Sequence, residues 1–269
     1  MSSVVQAPVT SISIIIVSFN ARADLERCLD SLRAAPPATP HEILVVDNAS
    51  TDGSATAARN RAGVRVIDAG ANVGFARACN IGIRASQGTH LLLLNSDTIV
   101  PAGAVDTLFA ELQRTPDVAV VGPRLVDETG RAELSFGRMI TPFAEWRQKR
   151  IARSGLVDQL TRRRHHPDWV SGACLMVSRT DADAAGLLDE RFFMYTEDVD
   201  FCASIRARGR RILFTPDVEV IHTRGRSVAS APEATHAAYR RSHLAFYEKH
   251  HPAWAPFLRL YIRLRDRSR

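Results

Sequence analysis

Residues 11–50 read SISIIIVSFN ARADLERCLD SLRAAPPATP HEILVVDNAS, and the alternation inside this stretch decides the fold class. Ser11–Ser18 is a β-branched run, too short for a helix of its own, which suits a strand buried on both faces. Arg22–Leu32 then sets Leu25, Cys28, Leu29 and Leu32 at helical spacing, and Pro36, Pro37 and Pro40 end that helix. Glu42–Val46 is the next strand, and the rhythm continues with a helix at Gly53–Ala62, a strand at Val64–Ile67, a helix at Phe75–Ser86 and a strand at His90–Leu94. Alternation of this kind implies an α/β fold with a mostly parallel sheet and helices on both faces. Ligands of such sheets bind at the carboxyl ends of the strands.

After Pro123 the rhythm breaks. The basic stretch Arg138–His166, with Arg162, Arg163 and Arg164 beside two histidines, reads as a mobile connection or a helical insert. A strand resumes over Trp169–Val177, a helix follows near Val199–Arg208 and stops at Gly209, and strands are expected at Arg211–Phe214 and Val218–Ile221. The remaining C-terminal residues read as helical.

A chain of 269 residues with 45% hydrophobic content can bury a full core. No stretch approaches the roughly 18 to 20 apolar residues of a membrane span, and the first residues lack a basic region followed by a long apolar run. The expected location is the cytoplasm. Cys28, Cys79, Cys174 and Cys202 form no C-x-x-C pair and sit among apolar or small neighbours, so they are expected to be reduced and buried. The net charge of +6 is uneven: Arg138–His166 and Ala237–Arg269 each carry +6, which leaves the rest at −6. No nucleic-acid module is recognisable, so an anionic membrane surface or a pyrophosphate-bearing substrate suits the basic segments better than nucleic acid.

Five segments carry chemistry. V-V-D-N-A-S puts Asp47 and Asn48 at a strand end, where a carboxylate can accept the imide N–H of uracil or thymine; the same pair also makes a turn ahead of a helix cap at Ser50 or Thr51. Asn72-Val73-Gly74-Phe75-Ala76 opens a helix whose N-terminus favours phosphate, with Gly74 admitting close backbone approach, or it is a plain cap. Asn95-Ser96-Asp97 ends another strand, where a hard oxygen donor can hold Mg²⁺ or Mn²⁺ against a diphosphate; the alternative is a structural turn. Thr196-Glu197-Asp198-Val199-Asp200 opens a helix whose dipole favours first-turn acids in any protein, but the apolar run Phe192–Tyr195 before it suggests a walled cleft. His222 ends an alternating strand ahead of Arg224, Gly225 and Arg226, where it can complete a metal site or serve the structure alone, and the arginines can neutralise a leaving diphosphate.

Taken in order, I-I-I-V-S-F-N, V-V-D-N-A-S-T-D-G-S, N-V-G-F-A-R-A-C-N-I-G, L-L-L-N-S-D-T, W-V-S-G-A-C-L-M-V-S-R, F-F-M-Y-T-E-D-V-D-F-C and V-I-H-T-R-G-R-S resemble the family-two glycosyltransferases of GT-A fold, in particular their bacterial rhamnosyltransferase-like branch. The resemblance runs from Ile12 to about Ser227. It implies that Ser18, Phe19 and Asn20 border the base and ribose, that Asp47 reads the pyrimidine, and that Asn72, Gly74, Phe75, Asn80 and Asn95 lie along the donor with Arg224 and Arg226. It further implies Asp97 and His222 on the metal, Asp198 as general base, and Trp169, Gly172, Ala173 and Glu197 shaping the sugar and acceptor side. Two departures stand out: the metal motif begins with Asn95 rather than Asp, and Cys79 precedes Asn80 where many relatives carry Arg, a contact that Arg77, Arg224 or Arg226 would have to supply.

The implied organisation is a glycosyltransferase domain over 1–236, with a donor half at about 11–125 and an acceptor half at about 126–236, and a basic amphipathic helical tail at 237–269. The implied reaction is inverting, single-step transfer from a dTDP- or UDP-linked sugar, dTDP-L-rhamnose being favoured, to a glycan or lipid-linked acceptor of the cell envelope. A UDP-hexose donor, a sugar nucleotidyltransferase and a non-catalytic sugar-nucleotide-binding protein are the competing readings. In the tail, Phe257, Leu258, Tyr261 and Leu264 recur at helical spacing among arginines, which suits the inner face of an anionic membrane; packing on the domain or across a homodimer is the alternative.

Overall fold

A computed structural model describes residues 11–223 and 232–267 of the chain. Its first half follows the alternation of the sequence: β1 (Ile12–Ser18), α1 (Arg22–Ala34), β2 (His41–Asp47), α2 (Ser54–Arg59), β3 (Val64–Asp68), α3 (Phe75–Ala85) and β4 (His90–Asn95). β1 is buried along its whole length because successive side chains serve opposite faces. Ile12, Ile14 and Ile16 pack with Leu25, Cys28, Leu29 and Leu32 of α1, whereas Ile15 and Val17 join Ala76, Cys79 and Ile83 of α3. β1 pairs in parallel with β2 on one side and β4 on the other, so the chain switches direction of travel across the sheet beside β1. The register sets Ser18 against Asp47 and Val17 against Asn95, which brings three strand ends to one rim.

The remaining elements are β5 (Thr98–Ile99), α4 (Ala104–Arg114), β6 (Val118–Val126), β7 (Phe136–Gly137), α5 (Pro142–Ala152), α6 (Val157–Thr161), β8 (Trp169–Val170), β9 (Cys174–Ser178), α7 (Arg179–Ala185), α8 (Glu197–Arg206), β10 (Arg211–His222), α9 (Pro232–His250) and α10 (Ala255–Arg267). Eight strands form one sheet in the order β3-β2-β1-β4-β9-β6-β10-β5, while β7 and β8 form a small second sheet. β9 is antiparallel to both β4 and β6, and β10 is parallel to β6, so β1, β2, β4, β6 and β10 all run the same way.

Three sequence expectations need correcting. The rhythm does not break at Pro123: fully buried β6 passes through it, and the three residues between Thr215 and Glu219 bulge out of β10 where Pro123 pairs with Thr215. Proline has no N–H to give the ladder, and a register shift beside it absorbs the gap. The two strands expected at Arg211–Phe214 and Val218–Ile221 are therefore one bulged strand. The expected strand Trp169–Val177 is two strands in different sheets, parted at Gly172, whose N–H leaves the ladder for the Asp198 carboxylate at 2.9 Å.

Part of the basic stretch is spent internally. Arg164 holds Glu111 and Asp217, Arg162 holds Asp158, and Arg124 lies between Asp158 and Glu219. The four cysteines are free and buried, and burial pushes the thiols of Cys28 and Cys202 up to about 12, which leaves no ready thiolate.

Gly82 is where α3 meets the sheet. A Cβ there would lie 2.5 Å from Ile15 Cγ2 and 3.1 Å from Val46 Cγ2. Gly82→Ala should therefore destabilise the fold by roughly 1–3 kcal/mol through overpacking, despite the better helix propensity of alanine. Urea melts of both proteins check this; an equal or higher midpoint would show that the helix shifts freely.

Candidate active site

The carboxyl rim of the sheet collects most of the predicted residues. At its first corner Asp47 and Asn48 are buried. Asn48 donates from Nδ2 to Asn72 Oδ1 at 2.9 Å and accepts the Val73 N–H at 2.9 Å, while the Gly74 N–H reaches Asn72 Oδ1 at 3.3 Å. This network fixes the loop from β3 to α3. Asp47 Oδ2 accepts the Ser50 N–H at 3.1 Å, but its Oδ1 and the neighbouring Ser18 Oγ are buried without a hydrogen-bond partner among the described residues. Unpartnered buried polar atoms side by side in register are costly unless a ligand satisfies them. Next to them Asn20, at φ 47°, accepts the Thr51 N–H at 2.8 Å, and Phe19 is exposed.

Gly74, Phe75 and Asn80, expected along the donor, also have partners within the protein. The N-terminus of α3 does not present a free N–H at Phe75, because that N–H donates to Phe193 O at 2.6 Å. A Cβ on Gly74, at φ +85°, would stand 2.4 Å from the same carbonyl, so the close approach that needs glycine is by the protein's own backbone. Asn80 is buried with its amide spanning Leu188: Nδ2 donates to Leu188 O at 2.8 Å and Oδ1 accepts Leu188 N at 3.1 Å. It ties α3 to the segment leading into α8. Arg77 pairs with Glu190 at 3.7 Å, and Arg224 and Arg226 lie outside the described residues.

Further along the rim, His222 ends β10 opposite Thr98 of β5. Its Nε2 lies 3.3 Å from Asp97 Oδ1 and 3.4 Å from Asn95 Nδ2, and its Nδ1 lies 3.2 Å from Glu133 Oε2. The Asp97 carbonyl accepts both the N–H and the hydroxyl of Thr223 at 2.9 Å, which locks the Asp97 turn to the end of β10. Burial pushes the His222 imidazole down, but the two carboxylates outweigh it and hold its pKa up at about 9. Glu133 escaped the sequence reading. The turn Asp127–Gly130 reverses the chain and brings the Glu133 N–H to Leu125 O at 2.9 Å, and nothing in the linear pattern says that this return meets His222.

Among the described residues no cluster of three or more His, Cys, Asp or Glu could enclose a metal ion. Asp97 Oδ1 and, once its Nε2 proton is released, His222 would offer two ligands to Mg²⁺ or Mn²⁺, leaving the remaining positions to hard oxygen donors such as a diphosphate. Glu133 on Nδ1 would fix the imidazole tautomer, as the outer carboxylates of histidine metal sites do.

The acids before and within α8 complete the rim. Tyr195 and Thr196 both have left-handed backbones, at φ 72° and 65°, so the chain turns sharply into the helix. Asp198 Oδ2 accepts the Gly172 N–H at 2.9 Å, and its Oδ1 accepts the Val199 N–H at 2.8 Å. A Cβ on Gly172 would lie 3.3 Å from Asp198 Cβ. Ala173, next in the chain, is buried, and its carbonyl accepts the Asn95 N–H at 2.9 Å, which joins the acid corner to the metal corner. Trp169 is pinned by its indole N–H to Arg138 O at 3.0 Å. Glu197 is buried with Oε2 unpartnered; desolvation, reinforced by the Asp198 charge, raises its carboxyl well above the ordinary range. Asp200, also buried, is held from α9 by Lys249 at 2.8 Å and His250 at 2.6 Å, so both of its oxygens are already engaged.

Residues 13–179 match the sequence profile of the family described as "Glycosyl transferase family 2". The N-acetylglucosaminyl-diphospho-decaprenol L-rhamnosyltransferase of Mycobacterium tuberculosis is 29% identical over 264 residues, spanning 90% of this chain and 85% of that protein. Among solved structures, the Pyrobaculum calidifontis mannosyltransferase PcManGT in complex with GDP-Man and Mn²⁺ superposes with a TM-score of 0.64 at 19% identity, over 92% of this chain and 68% of that one. GalNAc-T7 with UDP, GalNAc and Mn²⁺ gives 0.61 at 19%, over 81% and 45%. The architecture is thus the GT-A α/β fold that the motifs imply.

Proposed function

Because the chain belongs to glycosyl transferase family 2, we propose that it moves L-rhamnose from dTDP-L-rhamnose, with inversion, to a hydroxyl of a lipid-linked envelope glycan. The observation that carries transfer chemistry is that Asp47, Asp97, His222 and the Gly172–Asp198 contact share one rim of one sheet. The sugar and acceptor are suggested by the mycobacterial relative, whose name specifies rhamnosyl transfer to a diphospholipid-linked N-acetylglucosamine.

In this reading the unpartnered Asp47 Oδ1 accepts the imide N–H of the pyrimidine, with Ser18 Oγ beside it. Asp97 and His222 would hold Mg²⁺ or Mn²⁺, which would neutralise charge on the diphosphate. Asp198 removes the proton from the acceptor hydroxyl as the hydroxyl oxygen bonds to the anomeric carbon from the face opposite the diphosphate, while the bond from that carbon to the diphosphate oxygen breaks and nucleoside diphosphate leaves. The Gly172 N–H orients that carboxylate without neutralising it. Next to it the buried Glu197 carboxyl is held well above its ordinary range by desolvation and by the Asp198 charge.

A donor panel with purified protein, Mn²⁺ and an N-acetylglucosaminyl-diphospholipid acceptor tests the proposal, scored by nucleoside diphosphate release. We expect dTDP-rhamnose to exceed any UDP-hexose by about tenfold or more in kcat/KM, the scale on which a shaped pocket discriminates. A preferred UDP-hexose overturns the rhamnose assignment, and release of pyrophosphate instead of nucleoside diphosphate overturns transfer itself.

A further inference from the structure

We propose that the exposed faces of α5 and α10 together form one docking surface for an anionic bilayer, a device that deepens the lipid-linked acceptor reading above and rests on it for its purpose. α5 buries none of its residues, so it is not in place to fill the core. It exposes Phe143 and Trp146, which are 72% and 53% accessible and stack at 5.9 Å, with the Arg150 guanidinium 4.9 Å above the indole. α10 and the turn before it expose Trp254, Phe257, Leu260, Tyr261 and Leu264, each more than half accessible; the last four repeat at three- and four-residue steps and so share a helix face.

The two groups are held close. His251 Nε2 meets the Ile140 carbonyl at 2.7 Å, and Met139, Ile140, Ala255 and Leu258 pack into one small cluster with Phe246 and Tyr247 of α9. Phe143 follows Ile140, and Trp254 follows His251, by three residues, so each aromatic pair begins within about 11 Å of that contact along the chain. So much exposed apolar and aromatic surface marks a binding face.

Charge selects the occupant. Exposed Arg147, Lys149, Arg150 and Arg153 line α5, and Arg259 and Arg263 line α10. Among the nearby acids, Glu145 turns inward to His243 and Tyr247 at 2.7 and 2.8 Å and also meets Lys149 at 3.6 Å, and Glu248 pairs with Arg259, so cations still outnumber acids on this face. Aromatic residues at the lipid boundary with cations among them suit an anionic interface. A two-fold pairing of this face with a second copy would instead set cation against cation. The face is also tied to the reaction centre: Lys249 and His250 of α9 grip Asp200, two residues beyond Asp198, so docking would hold the base at a set attitude to the membrane.

The test is co-sedimentation of the full chain with phosphatidylcholine vesicles containing about 30% phosphatidylglycerol, and with pure phosphatidylcholine. Wild type should bind the anionic vesicles and lose about tenfold or more in partition in neutral vesicles or in about 0.5 M salt. Phe143→Ala with Trp146→Ala, and separately Trp254→Ala with Phe257→Ala, should each lower partition by about tenfold, and all four together should abolish it. Arg259→Glu with Arg263→Glu should also lower it. Because these side chains are exposed, melting temperature, dTDP binding and turnover on a water-soluble acceptor should stay within about twofold of wild type. The proposal is overturned if wild type ignores anionic vesicles, if either aromatic pair can be removed without loss, or if wild type is a dimer that the four-residue variant converts to monomer. Vesicle binding together with failure on every nucleotide sugar would instead sink the proposed function and leave the surface standing.

Discussion

Asp198→Asn is expected to cut turnover by about 10²-fold or more while nucleotide affinity stays near wild type, the signature of losing a general base and not a binding contact. The carboxylate has one oxygen on the Gly172 N–H and the other on the Val199 N–H. An amide can keep one of these as acceptor, but its NH₂ must face an N–H at the other, so the loop at Gly172 will relax slightly without unfolding. Single-turnover kinetics with saturating donor separate the chemical step from binding. Near-normal turnover would move the role to a neighbour, yet both neighbours are poorly suited. Asp200 is paired with Lys249 and His250, and the Glu197 carboxyl is held well above its ordinary range.

Glu197→Gln gives the contrast, since glutamine is isosteric with the neutral acid, and its turnover should remain within about tenfold of wild type. The folded state holds this proton above the ordinary carboxylate value of 4.5, whereas the unfolded chain releases it. Glu197 therefore costs stability as pH rises past that value, and the glutamine variant should melt no lower than wild type at pH 8.

Asp97→Ala should remove the gain in dTDP affinity that Mn²⁺ confers, a gain expected at about 10²-fold for a hard cation shared between protein and diphosphate. Calorimetry with and without EDTA reads this directly. The main-chain carbonyl of Asp97 still holds Thr223 after the substitution, so the rim keeps its shape. Glu133→Gln should leave metal-free binding alone but weaken the metal-supported part by about 10–100-fold, because the second imidazole nitrogen loses its carboxylate. Affinity that ignores both EDTA and Asp97→Ala would take the metal out of this reading.

The amino-acid sequence by itself determined the α/β class, the order of the first seven elements and the presence of Asp47, Asn95, Asp97 and His222 at strand ends, because buried strands and amphipathic helices write their period into local residue choice. It also determined that the four thiols are buried. What it could not show depends on where the chain returns. β6 escaped notice because Pro123 looks like a breaker until the β10 bulge beside it is known. The need for glycine at position 74 is legible, but the neighbour that imposes it, Phe193, lies far along the chain. Asn80 grips Leu188, Glu133 meets His222, and Lys249 with His250 holds Asp200, each across a separation that leaves no local signature. Only the tertiary structure decided which polar atoms are satisfied by the protein itself and which, like Asp47 Oδ1, are buried without a partner, because satisfaction is a property of three-dimensional neighbours and not of sequence spacing.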